Sequence, residues 1–307
     1  MLAGFLTVYL VWGSTYLAIR IALETLPPFL MAGARFLAAG GLLYAWARSR
    51  GAPRPEPAHW RAALVLGALF LLLGNGGVVW AEQRVPSGLA ALMVGLTPVW
   101  TALFEWRAGG ERPSAAVAVG LAAGVAGVAL LVAPGRLAAG APVDPLGAAA
   151  CLISSVSWSF GSVRSRGLRL PASPAVAAGL QMLSGGALLA AAGLLDGEAA
   201  RLHPAAVSAR SLLAVGYLVV FGSLVAFTTF TWLLRVSTPS RVATCAYVNP
   251  VVAVFLGRVL GGEPLAPRTL LAAAVIVGAV AVITTSRGRR GPPERAGPVT
   301  EPETEVG

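Results

Sequence analysis

The chain alternates long apolar runs with short, arginine-bearing connections. Residues 62–81, 85–104, 113–135, 145–163, 170–195 and 211–234 carry no charged side chain. Residues 28–47 are apolar except for Arg35, and 1–19, 242–257 and 269–286 are tighter versions of the same pattern. A helix needs about 20 mostly apolar residues to cross the hydrocarbon core. The pattern predicts ten spans, near 2–23, 28–47, 62–81, 86–105, 114–133, 145–163, 172–194, 211–231, 238–258 and 267–286. The runs are unbroken Leu, Ala, Val and Gly rather than alternating, which excludes a transmembrane β-barrel.

Composition agrees. Hydrophobic residues make up 56% of the 307 and charged residues 12%, against roughly 25% charged in a soluble domain. Too little polar surface exists to coat a water-soluble body of this length. The net charge of +10 does not indicate a nucleic-acid partner, because the basic residues sit between the spans rather than on one face. All 23 are arginine: with the N-terminus inside, fifteen fall in inside loops and tail, seven outside, and Arg35 within a span. That asymmetry predicts an inner-membrane protein with both termini cytoplasmic. Arg20 and Arg84 run against it. The first span is too long, and too weakly basic in front, for a cleaved signal peptide. Cys151 and Cys245 lie inside spans and read as small apolar side chains. Residues 287–307, rich in Pro, Gly, Glu and Arg, are expected to form a disordered cytoplasmic tail.

The pattern is written twice. "VGLTPVWTALFEWRAGGERP" at 94–113 is matched by "AYVNPVVAVFLGRVLGGEPL" at 246–265. Each has a proline in an apolar run, Pro98 or Pro250, then Gly-Gly-Glu ending on Glu111 or Glu263. "WGSTYLAIR" from Trp12 is echoed by "WSFGSVRSR" from Trp158, and "RVPSGLAAL" from Arg84 by "RVSTPSRVA" from Arg235. Ten spans with one repeat make two units of five: 1–135 and 145–286, joined by a loop at 136–144. Five is odd, so the second unit enters the membrane from the opposite side. The fold expected is all-α and integral to the membrane, with two inverted five-helix repeats around a central cavity, an architecture used by secondary transporters. A proline inside a helix deletes a hydrogen bond and bends it. Pro98 and Pro250 therefore read as paired helix kinks beside a midplane cavity.

These stretches, with "VYLVWGSTYLAIRIALETLPPFLMAGARFLAAGGLLY" and "GNGGVVWAEQRVPSGLAALMVGLTPVW", resemble the EamA-type branch of the drug/metabolite transporter superfamily, from Val8 to about Thr285. The resemblance implies ten helices, a central cavity, and export of amino acids, metabolites or small toxic compounds. Its Trp-Gly-Ser falls on Trp12, Gly13 and Ser14, and its Pro-Pro…Arg on Pro27, Pro28 and Arg35. The second half departs: Trp158 lacks the following Gly-Ser, and Asn249 stands where the first half has Thr97, so an asymmetric site is expected.

Polar and aromatic side chains inside spans are the site candidates. Trp46, Trp60 and Trp106 fit the headgroup belt. Trp12, Trp100 and Trp158 sit deeper and are read as cavity walls, where aromatic faces stack planar solutes or hold cations. Arg35, two turns into its span, faces a cavity or a partner. It is either an anchor for a substrate carboxylate or half of an ion pair with Glu24 or Glu82. Glu82 and Arg20 form the candidate proton or ion-pair site: a carboxylate beside a low-dielectric cavity carries a proton, whereas a solvated loop acid would pair with Arg84. Asn75, Tyr247 and Asn249, with Ser14, are cavity donors or interhelical glue. Asn75 and Asn249 lie where Gly74, Gly76 and Pro250 disturb the helix. Gly120 and Gly124, with Ala274 and Gly278 in the last span, mark close helix packing, within one chain or between two copies of a homodimer.

An intramembrane enzyme would need a nucleophile and base within reach. The two histidines, His59 and His203, fall in loops on opposite sides, and neither H-E-x-x-H nor G-x-S-x-G occurs. No metal or cofactor is implied, and without a P-loop no ATP hydrolysis. The expectation is a secondary exporter working by alternating access on a small-molecule substrate in the bilayer, with proton antiport as the candidate energy source. A passive channel and a membrane receptor or scaffold are the alternatives.

Overall fold

The computed structural model describes residues 1–110 and 143–262, with scattered positions between 112 and 127 and between 267 and 278. Most of the expected fifth and tenth spans, the turn residues Glu111 and Glu263, the Gly120/Gly124 pair, loop residues 136–142 and the tail from Arg287 lie outside the described residues. Of Tyr247 only the backbone is described.

The described residues are helical, with no strand among them. Seven helices are long and apolar enough to cross a membrane: α1 (Leu2–Ala22), α2 (Pro28–Ser49), α3 (Pro57–Ala81), α4 (Ser87–Arg107), α5 (Pro145–Gly167), α6 (Pro174–Leu195) and α7 (Ala209–Val236). A shorter apolar helix, α8, follows at Cys245–Val259. α2, α3, α5 and α6 each open on a proline. Proline suits this position because its missing N–H is one the helix leaves unbonded anyway. α3 begins at Pro57 rather than near 62: a capping box between Glu56 and His59 starts the helix in the polar layer, before the apolar run. The N-terminus of α2 is capped from a distance. The buried carboxylate of Glu198 accepts from Phe29 N at 3.0 Å and Leu30 N at 2.7 Å.

α2 and α6 pack almost backbone to backbone. A methyl on Gly40 would stand 2.8 Å from Leu183 N, and one on Gly186 2.9 Å from Leu37 N. Small residues permit this approach, which substitutes dispersion contacts for a hydrophobic drive that lipid does not supply. α1 lies along α8, and α4 packs on α5 and α8. Trp46, Trp60 and Trp106 are exposed on the bundle surface, as a headgroup belt requires.

Two spans are not regular α-helices. Residues Gly67–Asn75 of α3 and Leu218–Phe227 of α7 are π-helical. Sequence reading marked only the glycines around Asn75.

Candidate functional site

The two π-helical stretches face a cavity of about 90 Å³ between the two halves of the chain. Its walls include Trp12, Arg35, Asn75, Trp158, Asn249 and Pro250, which come from five different helices. Widening a helix to the π form disturbs its hydrogen-bond ladder, and side chains across the cavity take up the carbonyls. Ser154 and Ser157 on α5 donate to Gly74 O and Leu69 O in α3, the latter at 2.8 Å. Trp12 Nε1 donates to Gly222 O in α7 at 3.2 Å. In hydrocarbon such carbonyls need a protein partner, and π turns recur at functional sites.

Trp12 and Trp158, the opening tryptophans of the two similar segments, meet edge to face with centroids 5.2 Å apart. Phe70 and Phe230 each pack on Trp158, at 5.0 and 5.2 Å. Phe227 joins both phenylalanines. The result is an aromatic layer beneath the cavity.

Arg35 is 3% exposed. Its Nε donates to Ser223 Oγ at 2.9 Å, while its Nη1 is buried without a hydrogen-bond partner. No ion pair reaches Arg35 among the described residues: Glu24 is paired with Arg210 at 3.3 Å. The guanidinium also packs against Gly222, where a methyl would stand 2.8 Å from Nη2. The π stretch of α7 thus supplies both the bond to Nε and the room for Nη2. Ser223 was missed in the sequence; its signal was a lone hydroxyl in the run "VVFGSLVAF".

The asparagines differ. Asn75 Oδ1 is buried without a partner. Asn249, with its amide nitrogen turned to the available acceptors, donates to Tyr9 O at 2.8 Å and Cys245 O at 3.1 Å.

The prolines also differ. α4 breaks at Gly95 and Leu96, so Pro98 stands in the first turn of a restarted helix, Thr97–Arg107. The N–H that Pro98 lacks would have bonded Val94 O; Thr97 Oγ1 takes that carbonyl at 2.6 Å. Pro250 stands inside α8, and the carbonyl one turn before it, Ala246 O, would lie 3.4 Å from a methyl placed on Gly95.

Other candidates lie off the cavity. Ser14 bonds Val11 O and the Tyr217 hydroxyl, at 2.7 and 2.6 Å, tying α1 to α7. Trp100 packs into a separate apolar cluster of α4, α5 and α8. Glu82 is fully buried at the end of α3, and its main-chain carbonyl accepts from Arg20 Nη1. Arg84 pairs instead with Asp144 at 3.3 Å and stacks on Trp80 at 3.7 Å. Cys151 and Cys245 are buried and free.

The sequence profile of the EamA-like transporter family matches residues 1–133 and again residues 145–285. The chain belongs to this family. It is 43% identical over 280 residues to the inner membrane transporter YedA of Escherichia coli K12, itself uncharacterized, covering 91% of this chain and 89% of that one. It is 29% identical to the uncharacterized transporter YvbV of Bacillus subtilis 168, over 93% and 91% of the two chains. It is 26% identical to a protein of Escherichia coli K12 named "Probable amino-acid metabolite efflux pump", over 89% and 90%. A solved crystal structure superposes with a TM-score of 0.66 at 25% identity, covering 94% of this chain and 98% of that one. Family and helices together make this a multi-pass inner-membrane transporter rather than an enzyme, acting on a small-molecule substrate within lipid.

Proposed function

We propose that this transporter is a secondary exporter of small carboxylate-bearing metabolites, amino acids among them, moved by alternating access. The observation that carries this is Arg35: a buried guanidinium with a free Nη1 at the wall of an aromatic cavity between the halves. Such a charge is costly to hold in a membrane and favours an anionic visitor, which guanidinium binds in bidentate fashion. The efflux-pump name of one relative supports the direction.

The architecture proposed is ten spans in two inverted five-helix units, 1–135 and 145–286, with both termini cytoplasmic. Its support is the double family match, the π stretches in the third span of each half, and the broken or proline-bearing helices that follow them. Proton antiport is the proposed energy source. Glu82, buried at the end of α3, is the proposed proton carrier and Arg20 its neighbour. A homodimer is proposed as its assembly, and the mass of the purified protein in detergent tests it.

The test is transport by purified protein in proteoliposomes. Pools of radiolabelled amino acids are offered with and without an imposed pH gradient. Saturable flux that a pH gradient drives and Arg35→Gln abolishes is the expected result. Flux that rises linearly with concentration would indicate a channel instead, and flux indifferent to an uncoupler would sink proton coupling.

A further inference from the structure

A second cavity, of about 400 Å³, lies on the far side of the aromatic layer. Phe70 lines it, while Trp158 and Phe227, which pack on Phe70 at 5.0 and 6.3 Å, line the first. The rings of Phe70, Trp158 and Phe227, stacked on one another, therefore stand between the two cavities. The rest of the second cavity is apolar at Leu66 and Leu170, and basic at Arg166 and Arg235. Arg235 donates to Ala172 O and Pro171 O at 2.7 and 2.8 Å, and Arg166 to Ser237 O at 2.9 Å. These main-chain bonds hold the guanidiniums in place at the solvent-exposed mouth of the cavity, and neither has an ion-pair partner among the described residues. Each guanidinium carries five N–H donors, so donors remain. Gln181, 1% exposed, lines the same cavity, and its Oε1 has no hydrogen-bond partner. A buried acceptor left unbonded is destabilising unless a donor arrives.

We infer that this cavity is a second binding site, for a solute with a carboxylate, an apolar body and a hydrogen-bond donor such as an ammonium group. Arg166 and Arg235 take the carboxylate, Gln181 Oε1 takes the donor, and Leu66, Phe70 and Leu170 cover the body. Resting on the transporter reading, the site is the entry station at the end of the bundle that the arginine distribution makes cytoplasmic. Phe70 and its aromatic neighbours form the barrier a solute crosses to reach Arg35.

The probe is a cysteine. Leu170→Cys places a thiol on the half-buried wall, and the native cysteines are buried. Modification is timed in phosphatidylcholine proteoliposomes with a sulfonate-bearing and a trimethylammonium-bearing methanethiosulfonate. With each rate divided by that of a small free thiol in solution, the anionic reagent is expected to gain about tenfold over the cationic one, because a basic cavity concentrates anions. L-phenylalanine and 3-phenylpropionate slow the reaction; phenethylamine, which lacks the carboxylate, does not. Arg166→Gln with Arg235→Gln removes both the charge preference and the protection. Gln181→Leu keeps protection by 3-phenylpropionate and weakens that by L-phenylalanine. Equal normalised rates for the two reagents would overturn the inference. So would protection that survives loss of both arginines, or protection by added phosphatidylglycerol but by neither carboxylate, which would make this a lipid headgroup site. Labelling does not require flux, so a chain that fails to transport in the assay above still reports on this site, and the reverse holds.

Discussion

Arg35 and Ser223 join the second span to the π-helical stretch of α7: the Nε of one donates to the hydroxyl of the other at 2.9 Å, at the wall of the cavity between the halves. This single bond orients a guanidinium that has no carboxylate partner among the described residues. A charge held without a counterion is unfavourable for folding and useful for binding.

That trade-off is measurable at Arg35. Replacing an unpaired buried charge by an apolar chain of similar length removes a desolvation penalty. Arg35→Met is expected to unfold a few degrees higher in detergent while losing transport of carboxylates. Thermal unfolding followed beside proteoliposome flux checks both. A lower Tm would mean that the bond to Ser223 outweighs the penalty.

The stacked tryptophans set a second expectation. Trp158 meets the rings of Trp12, Phe70, Phe227 and Phe230 at once. Trp158→Ala removes all four contacts and leaves a cavity, at about 3–5 kcal/mol. Trp158→Phe keeps a ring there and is expected to recover most of the stability. If Phe restores the fold but not the flux, tryptophan itself is needed by the solute.

Thr97 carries the third. Its hydroxyl serves the Val94 carbonyl that Pro98 leaves open. Thr97→Val is nearly isosteric but strands that carbonyl, a loss of about 1–3 kcal/mol. Thr97→Ser is expected to be close to neutral. Comparing the unfolding midpoints of the two variants decides whether the hydroxyl or the methyl matters.

Glu198 carries the fourth. It lies in a short helix after α6 yet caps α2 through two main-chain N–H groups. Glu198→Ala leaves both partly buried donors without their carboxylate and is expected to cost about 2–4 kcal/mol. Glu198→Gln retains one acceptor oxygen and is expected to cost less. Hydrogen exchange at Phe29 and Leu30 reads the cap directly: both amides should lose protection in the alanine variant.

Much of this was legible in the chain. Trp12, Arg35, Asn75, Trp158 and Asn249 were singled out because polar and large aromatic groups are costly deep in apolar runs, and the fold brings all five to one cavity. Trp100 met the same criterion but lies elsewhere, because α4 breaks at Gly95 and Leu96. The break resets the helix phase, so Thr97 rather than Trp100 lines the cavity. Ser14 met it too, but its hydroxyl is spent on Val11 and Tyr217. Of the two readings of Arg35, carboxylate anchor or ion pair with Glu24 or Glu82, the pair with Glu24 does not form: Glu24 faces Arg210 at 3.3 Å.

By itself the sequence determined that this is a helical membrane protein, where most of its spans begin and end, and which residues are too polar to sit there without a reason. Those are properties of each segment against lipid and are set locally by hydropathy and caps. Only the tertiary structure decided which way each side chain points. Every π turn or break rotates the residues after it by roughly 100° per inserted position. Where such a turn forms depends on a partner across the gap, as Ser154, Ser157 and Trp12 are for the two π stretches. Ser223, the aromatic layer and the second cavity depend on that long-range pairing, which no window along the chain contains.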